Sequence, residues 1–121
     1  MYCTIAIWYL KPDLQSEGIA ALKQLAKDVE EHEPDTWGYL IHSGAAGSAP
    51  PWPDGTIVFV EMYKDKEAFL YHLNGPVFST FVKEQGHLFQ PTPGSDAPFV
   101  LVQNVDRIQG FLRQQAGEAT G

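Results

Sequence analysis

Residues 56–78 read TIVFVEMYKDKEAFLYHLNGPVF, and within them a strand gives way to two helices. The run from Thr56 to Tyr63 is nearly continuous β-branched and aromatic sequence, the strongest strand pattern in the chain. Asp65 then stands where an N-cap is needed for a short helix, KEAFLYHL, whose end is marked by Asn74-Gly75. Pro76 suits the first position of the next helix, which sets Phe78, Phe81 and Val82 on one face and runs towards Phe89.

Upstream, residues 2–10 are apolar on both alternating faces, with Ile5, Ile7 and Tyr9 on one and Ala6, Trp8 and Leu10 on the other. Pro12 breaks that strand. SEGIAALKQLAKDVEE then carries Ile19, Leu22, Ala26 and Val29 on one face, predicting an amphipathic helix that stops at Pro34. A second strand is expected from Trp37 to His42, and GAAGSAPPWPDG makes a loop from Gly44 to Gly55. After the loop QPTPGSDAP, a final strand, FVLVQNV, covers residues 99–105.

The order β, α, β, β, α(α), β predicts an α+β fold, the ferredoxin-like split βαβ plait with an antiparallel sheet. Helices cover one face of such a sheet. Because the strands are apolar on both faces, the other face needs a partner, and a second copy of the same sheet is the simplest. A homodimer joined through its sheet faces is therefore expected. Residues 1–112 are read as one domain and residues 113–121 as a flexible tail.

Composition excludes several function classes. The 121 residues include 15 Asp+Glu against 8 Lys+Arg, a net charge of −7, and the only arginines are Arg107 and Arg113. Binding a phosphate backbone relies on Lys and Arg, so nucleic acid is not an expected partner, and phosphate-rich ligands are disfavoured. No apolar stretch reaches the roughly 20 residues that span a bilayer, so no membrane association is expected. The lone Cys3, read as a small buried hydrophobe, and a start without a signal-peptide pattern predict a cytoplasmic protein.

No phosphate loop, paired-cysteine metal site or nucleophile elbow is present, and neither a metal nor another cofactor is expected. His72 is the best candidate for chemistry. It follows Phe69 by three residues on the face that packs towards the sheet, and an imidazole there suits proton abstraction from a phenol or an acidic carbon. A hydrogen-bonded core histidine is the competing reading. Trp37, Tyr39 and Tyr63 on adjacent strands, with Trp8 and Tyr9 on the first, could line a slot for a planar aromatic ligand, or could equally be core or interface residues. Glu61 interrupts an apolar strand and needs a water-facing rim or a buried donor, a structural ion pair being the default. His32 is expected to be exposed at a helix end, and His42 and His87 lack partners of ligand type; Trp52 sits on a loop as a subunit contact or a lid.

Two stretches carry a family resemblance. EPDTWGY, residues 33–39, resembles the signature that enters the second strand of antibiotic biosynthesis monooxygenase (ABM) domains. Glu61, Tyr63, Ala68, His72, Pro76 and Phe78 resemble, in register, the family's strand-and-helix block. The resemblance covers roughly residues 3–108 and implies a dimeric α+β barrel. It also implies a small enzyme that oxidises a phenolic or quinol-like substrate with dioxygen, using no metal, flavin or haem. By position, His72 would be the base or orienter, and Tyr63, Phe78 and Trp37 the pocket walls. Many relatives carry a second histidine where this chain has Val77, and haem-degrading members carry an Asn on the first strand and a His where this chain has Val82. Haem degradation is disfavoured. Two other readings remain at this point: a non-catalytic dimer that binds a small hydrophobic ligand, and an isomerase of a small metabolite on the same fold.

Overall fold

A computed structural model describes residues 1–113. Most of the expected flexible tail, residues 114–121, lies outside the described residues. Strand β1 (Tyr2–Tyr9) leads through a 3-10 turn at Pro12–Leu14 into helix α1 (Gln15–His32). Strands β2 (Thr36–Ser43) and β3 (Thr56–Tyr63) follow, then helices α2 (Lys66–Asn74) and α3 (Pro76–Gln85), a 3-10 turn at Gly86–Leu88, and strand β4 (Val102–Val105). The sheet order is β2-β3-β1-β4 with every pair antiparallel, which is the expected ferredoxin-like plait.

The local signals act as anticipated at α2 and α3. The Asp65 carboxylate accepts from the Ala68 amide at 2.9 Å, and Pro76 opens α3. Elsewhere packing overrides pattern. α1 buries Gly18, Leu22, Leu25 and Val29, whereas the expected Ile19 is exposed. The rotation follows from Gly18: a Cβ there would stand 2.2 Å from Leu10 Cδ2, so the bare backbone lets the end of β1 close onto the helix. The last strand is also shorter than expected. Phe99 has a φ of 67°, outside strand geometry, and its ring turns inward onto the core instead of continuing the ladder.

Ala6, Trp8, Leu10, Ile57 and Phe59 form the helix-covered face together with Leu22, Leu25, Val29 and Phe81. The opposite face carries Ile5, Ile7, Leu40, Val58, Val60 and Met62, which are half-buried or exposed in the single chain. Among the described residues, no helix is long and apolar enough to cross a membrane.

Candidate active site

His72 lies on α2 as expected from its spacing, facing the sheet and only 4% exposed. Its Nδ1 sits 2.7 Å from Oε1 of Glu33, the residue that caps the end of α1 and is itself 3% exposed. Thr36 Oγ1 donates into the same carboxyl oxygen at 3.1 Å. With Glu33 as a carboxylate, which only accepts, the imidazole nitrogen that faces it, Nδ1, carries a proton. In the neutral ring Nε2 then carries the free lone pair, and it makes no hydrogen bond among the described residues. The second carboxyl oxygen, Glu33 Oε2, is buried without a partner.

Aromatic rings surround the imidazole. Tyr39, Tyr63 and Phe78 have ring centroids 5.2, 5.7 and 5.8 Å from it. Tyr63 donates its hydroxyl to the Glu61 carboxyl. The expected ion pair at Glu61 is thus replaced by a phenol, because no lysine or arginine reaches that strand interior among the described residues. Burial raises the Glu61 pKa above its ordinary value, an effect that the Tyr63 hydrogen bond and the nearby His72 partly offset. Burial, then the charge of Glu61, also pushes the Tyr39 and Tyr63 phenols well up, so both stay protonated at neutral pH.

The structure thus gathers His72, Tyr39, Tyr63 and Phe78, with Trp8 reached through Phe78 at 5.9 Å between ring centroids. Trp37 does not join them: it sits at a bulge between Thr36 and Gly38, 58% exposed. There it flanks an open cleft of about 690 Å³ along β2, which reaches Glu33 and Tyr39. Glu33 had no role assigned to it from sequence, although it opens the EPDTWGY stretch. Asp28, Glu31 and His32 bring possible ligand atoms within 4.8 Å of one another at the outer end of α1, an acidic grouping with nothing further to mark it as a metal centre.

The family profile described as antibiotic biosynthesis monooxygenase matches residues 1–84. The chain belongs to that family. Among solved structures, this ABM chain resembles a candidate antibiotic biosynthesis monooxygenase from Caulobacter crescentus, with a TM-score of 0.72, 18% identity, and 89% and 90% of the two chains covered. It also resembles Rv0793 from Mycobacterium tuberculosis, with a TM-score of 0.68, 20% identity, and 90% and 96% covered. A further antibiotic biosynthesis monooxygenase superposes with a TM-score of 0.70 at 19% identity, covering 90% of this ABM chain and 100% of its own. Identities this low speak to the shared fold. No curated protein is recognisably similar to the chain in sequence.

Proposed function

We propose that this ABM chain is a cofactor-independent monooxygenase that oxidises a small hydroxylated aromatic, phenol- or quinol-like, with dioxygen. The observation that carries this reading is the His72 imidazole, buried among aromatic rings, held by Glu33 at Nδ1 and unbonded at Nε2. Nε2 takes the phenolic proton, and Glu33 balances the imidazolium that results. The electron-rich phenolate passes one electron to dioxygen, the radical pair closes a C–O bond, and loss of water leaves a quinone. One oxygen atom enters the ring and the other departs as water. The substrate supplies all four electrons, so no outside reductant is needed. Tyr39, protonated and with its ring 5.2 Å from the imidazole between centroids, would donate to the substrate oxygen, and the surrounding rings would keep the anion dry.

We also infer a homodimer through the open sheet faces. The apolar row of Ile5, Ile7, Val58 and Val60 supports it, since a helix-free face of this kind finds its cover in a second sheet.

Oxygen uptake with a panel of dihydroxy-aromatics tests the reaction. Uptake is expected with at least one of them, falling by about 10²- to 10⁴-fold in His72→Ala. No uptake across the panel, or uptake indifferent to His72→Ala, would overturn the reading.

A further inference from the structure

Trp8 is 3% exposed, yet its indole Nε1–H is buried with no hydrogen-bond partner. The groups around it are rings: Phe59, Phe89 and Phe99 at 4.2, 5.5 and 4.5 Å, with Phe78 and Phe81 just beyond. A buried donor with nothing to donate to is a standing cost. Phe99, one wall of this box, is also anomalous. It is only half-buried, and its φ of 67° is a conformation that an aromatic residue rarely adopts.

The segment that carries Phe99 is a strap fastened at its two ends. Gln90 donates its amide to the Tyr9 carbonyl at 2.7 Å and its side chain to the Leu10 carbonyl, and the Leu101 carbonyl accepts from the Ile7 amide at 3.1 Å. Between these anchors the backbone hydrogen bonds of Thr92 and Ser95 stay within the strap. Phe99 is therefore held in the box by ring contacts and opposed by its own backbone.

We propose that Phe99 is a removable plug, and that the space it fills is a binding site for a planar aromatic ligand bearing a carbonyl or hydroxyl oxygen that accepts from Trp8 Nε1–H. Displacing Phe99 leaves stacking surface on Trp8 and Phe89 and relieves both anomalies at once. The site adjoins the catalytic cluster, because Phe78 stands between Trp8 and His72 with its ring 5.9 and 5.8 Å from theirs. The choice of an oxygen-bearing aromatic rests on the reading in Proposed function, which supplies the class of occupant.

The test reads the indole Nε1–H signals of ¹⁵N-labelled protein, assigned with Trp37→Phe and Trp52→Phe, under anaerobic conditions. Chromone, a planar aromatic ketone, is the probe, and naphthalene is its oxygen-free counterpart. Chromone is expected to move the Trp8 signal downfield and saturably, to bind about tenfold more tightly than naphthalene, and to lose that advantage in Trp8→Phe. Phe99→Ala should bind chromone several-fold more tightly than the wild type. A Trp8 signal unmoved by millimolar chromone in wild type and in Phe99→Ala, or equal binding of the two probes, overturns the proposal. Chromone binding in a protein that oxidises no substrate would instead sink the reaction and leave the site standing. Oxidation with a motionless Trp8 signal would do the reverse.

Discussion

His72 Nδ1 and Glu33 Oε1 lie 2.7 Å apart across 39 residues of chain, and both side chains are buried. The pair ties α2 to the end of α1 and at the same time decides which imidazole nitrogen is free. Under the proposed reaction, structural and chemical roles fall on one bond, and the two can be separated by substitution.

Glu33→Gln keeps a carbonyl oxygen to accept from Nδ1–H, so the fold should survive at a cost of about 1 kcal/mol. Glu33→Ala leaves that N–H unsatisfied and should cost about 1–3 kcal/mol. If Glu33 orients and balances His72 during proton transfer, Glu33→Gln lowers kcat and leaves KM nearly unchanged. Urea unfolding and steady-state oxygen uptake read the two effects. A raised KM at full kcat would make Glu33 a binding residue instead.

Glu61 makes stability depend on pH in a definite direction. Its folded pKa is raised above the ordinary 4.5, chiefly by burial, so the folded chain holds this proton to higher pH than the unfolded chain does. The contribution is full below 4.5 and is lost as pH rises through the folded value. Glu61→Gln cannot ionise and should therefore gain stability relative to wild type as pH rises from below 4.5 to neutrality. Urea unfolding at the two ends of that range checks the sign, and parallel behaviour of the two proteins would refute it. In the same experiment Tyr63→Phe removes the phenol that donates to Glu61 and should cost about 1–3 kcal/mol.

Val60 lies at the centre of the open sheet face, paired with Ile5 on one side and Leu40 on the other. Val60→Lys places a charge in the middle of the inferred interface while leaving the helix-covered face untouched. Light scattering after size exclusion should show a dimer for wild type and a monomer for Val60→Lys at micromolar concentration. A monomeric wild type would contradict the interface.

Where an element is decided by its own residues, the sequence was enough to place it. β3 needed only its β-branched run, α2 only Asp65 and the Asn74-Gly75 stop, and His72 only its spacing from Phe69. What escaped was decided by distant packing. The α1 face turned because Gly18 meets Leu10, and Glu33 became the partner of His72 because the chain folds back across 39 residues. Glu61 found a phenol two residues away on its own strand, a contact that strand alternation permits but does not require. Phe99 left the expected strand through a backbone angle that its residue type does not announce. Trp37 was displaced by a bulge, which shifts a side chain out of the alternation used to place it.

Gly55 closes the long loop against the end of β1, with its carbonyl accepting from the Leu10 amide at 2.8 Å. Its φ is +81°, and a Cβ there would lie 2.4 Å from the Leu10 carbonyl oxygen, a backbone atom that cannot step aside without breaking the contact. Gly47, in the same loop, has a φ of +83° but nothing within 4 Å of its would-be Cβ. The pair separates backbone conformation from crowding. Gly47→Ala should lose at most about 1–2 kcal/mol, the cost of a left-handed residue alone. Gly55→Ala should lose distinctly more, since collision is added to conformation. Urea denaturation of the two variants gives the comparison, and equal losses would show that the Leu10 contact yields more easily than its geometry implies.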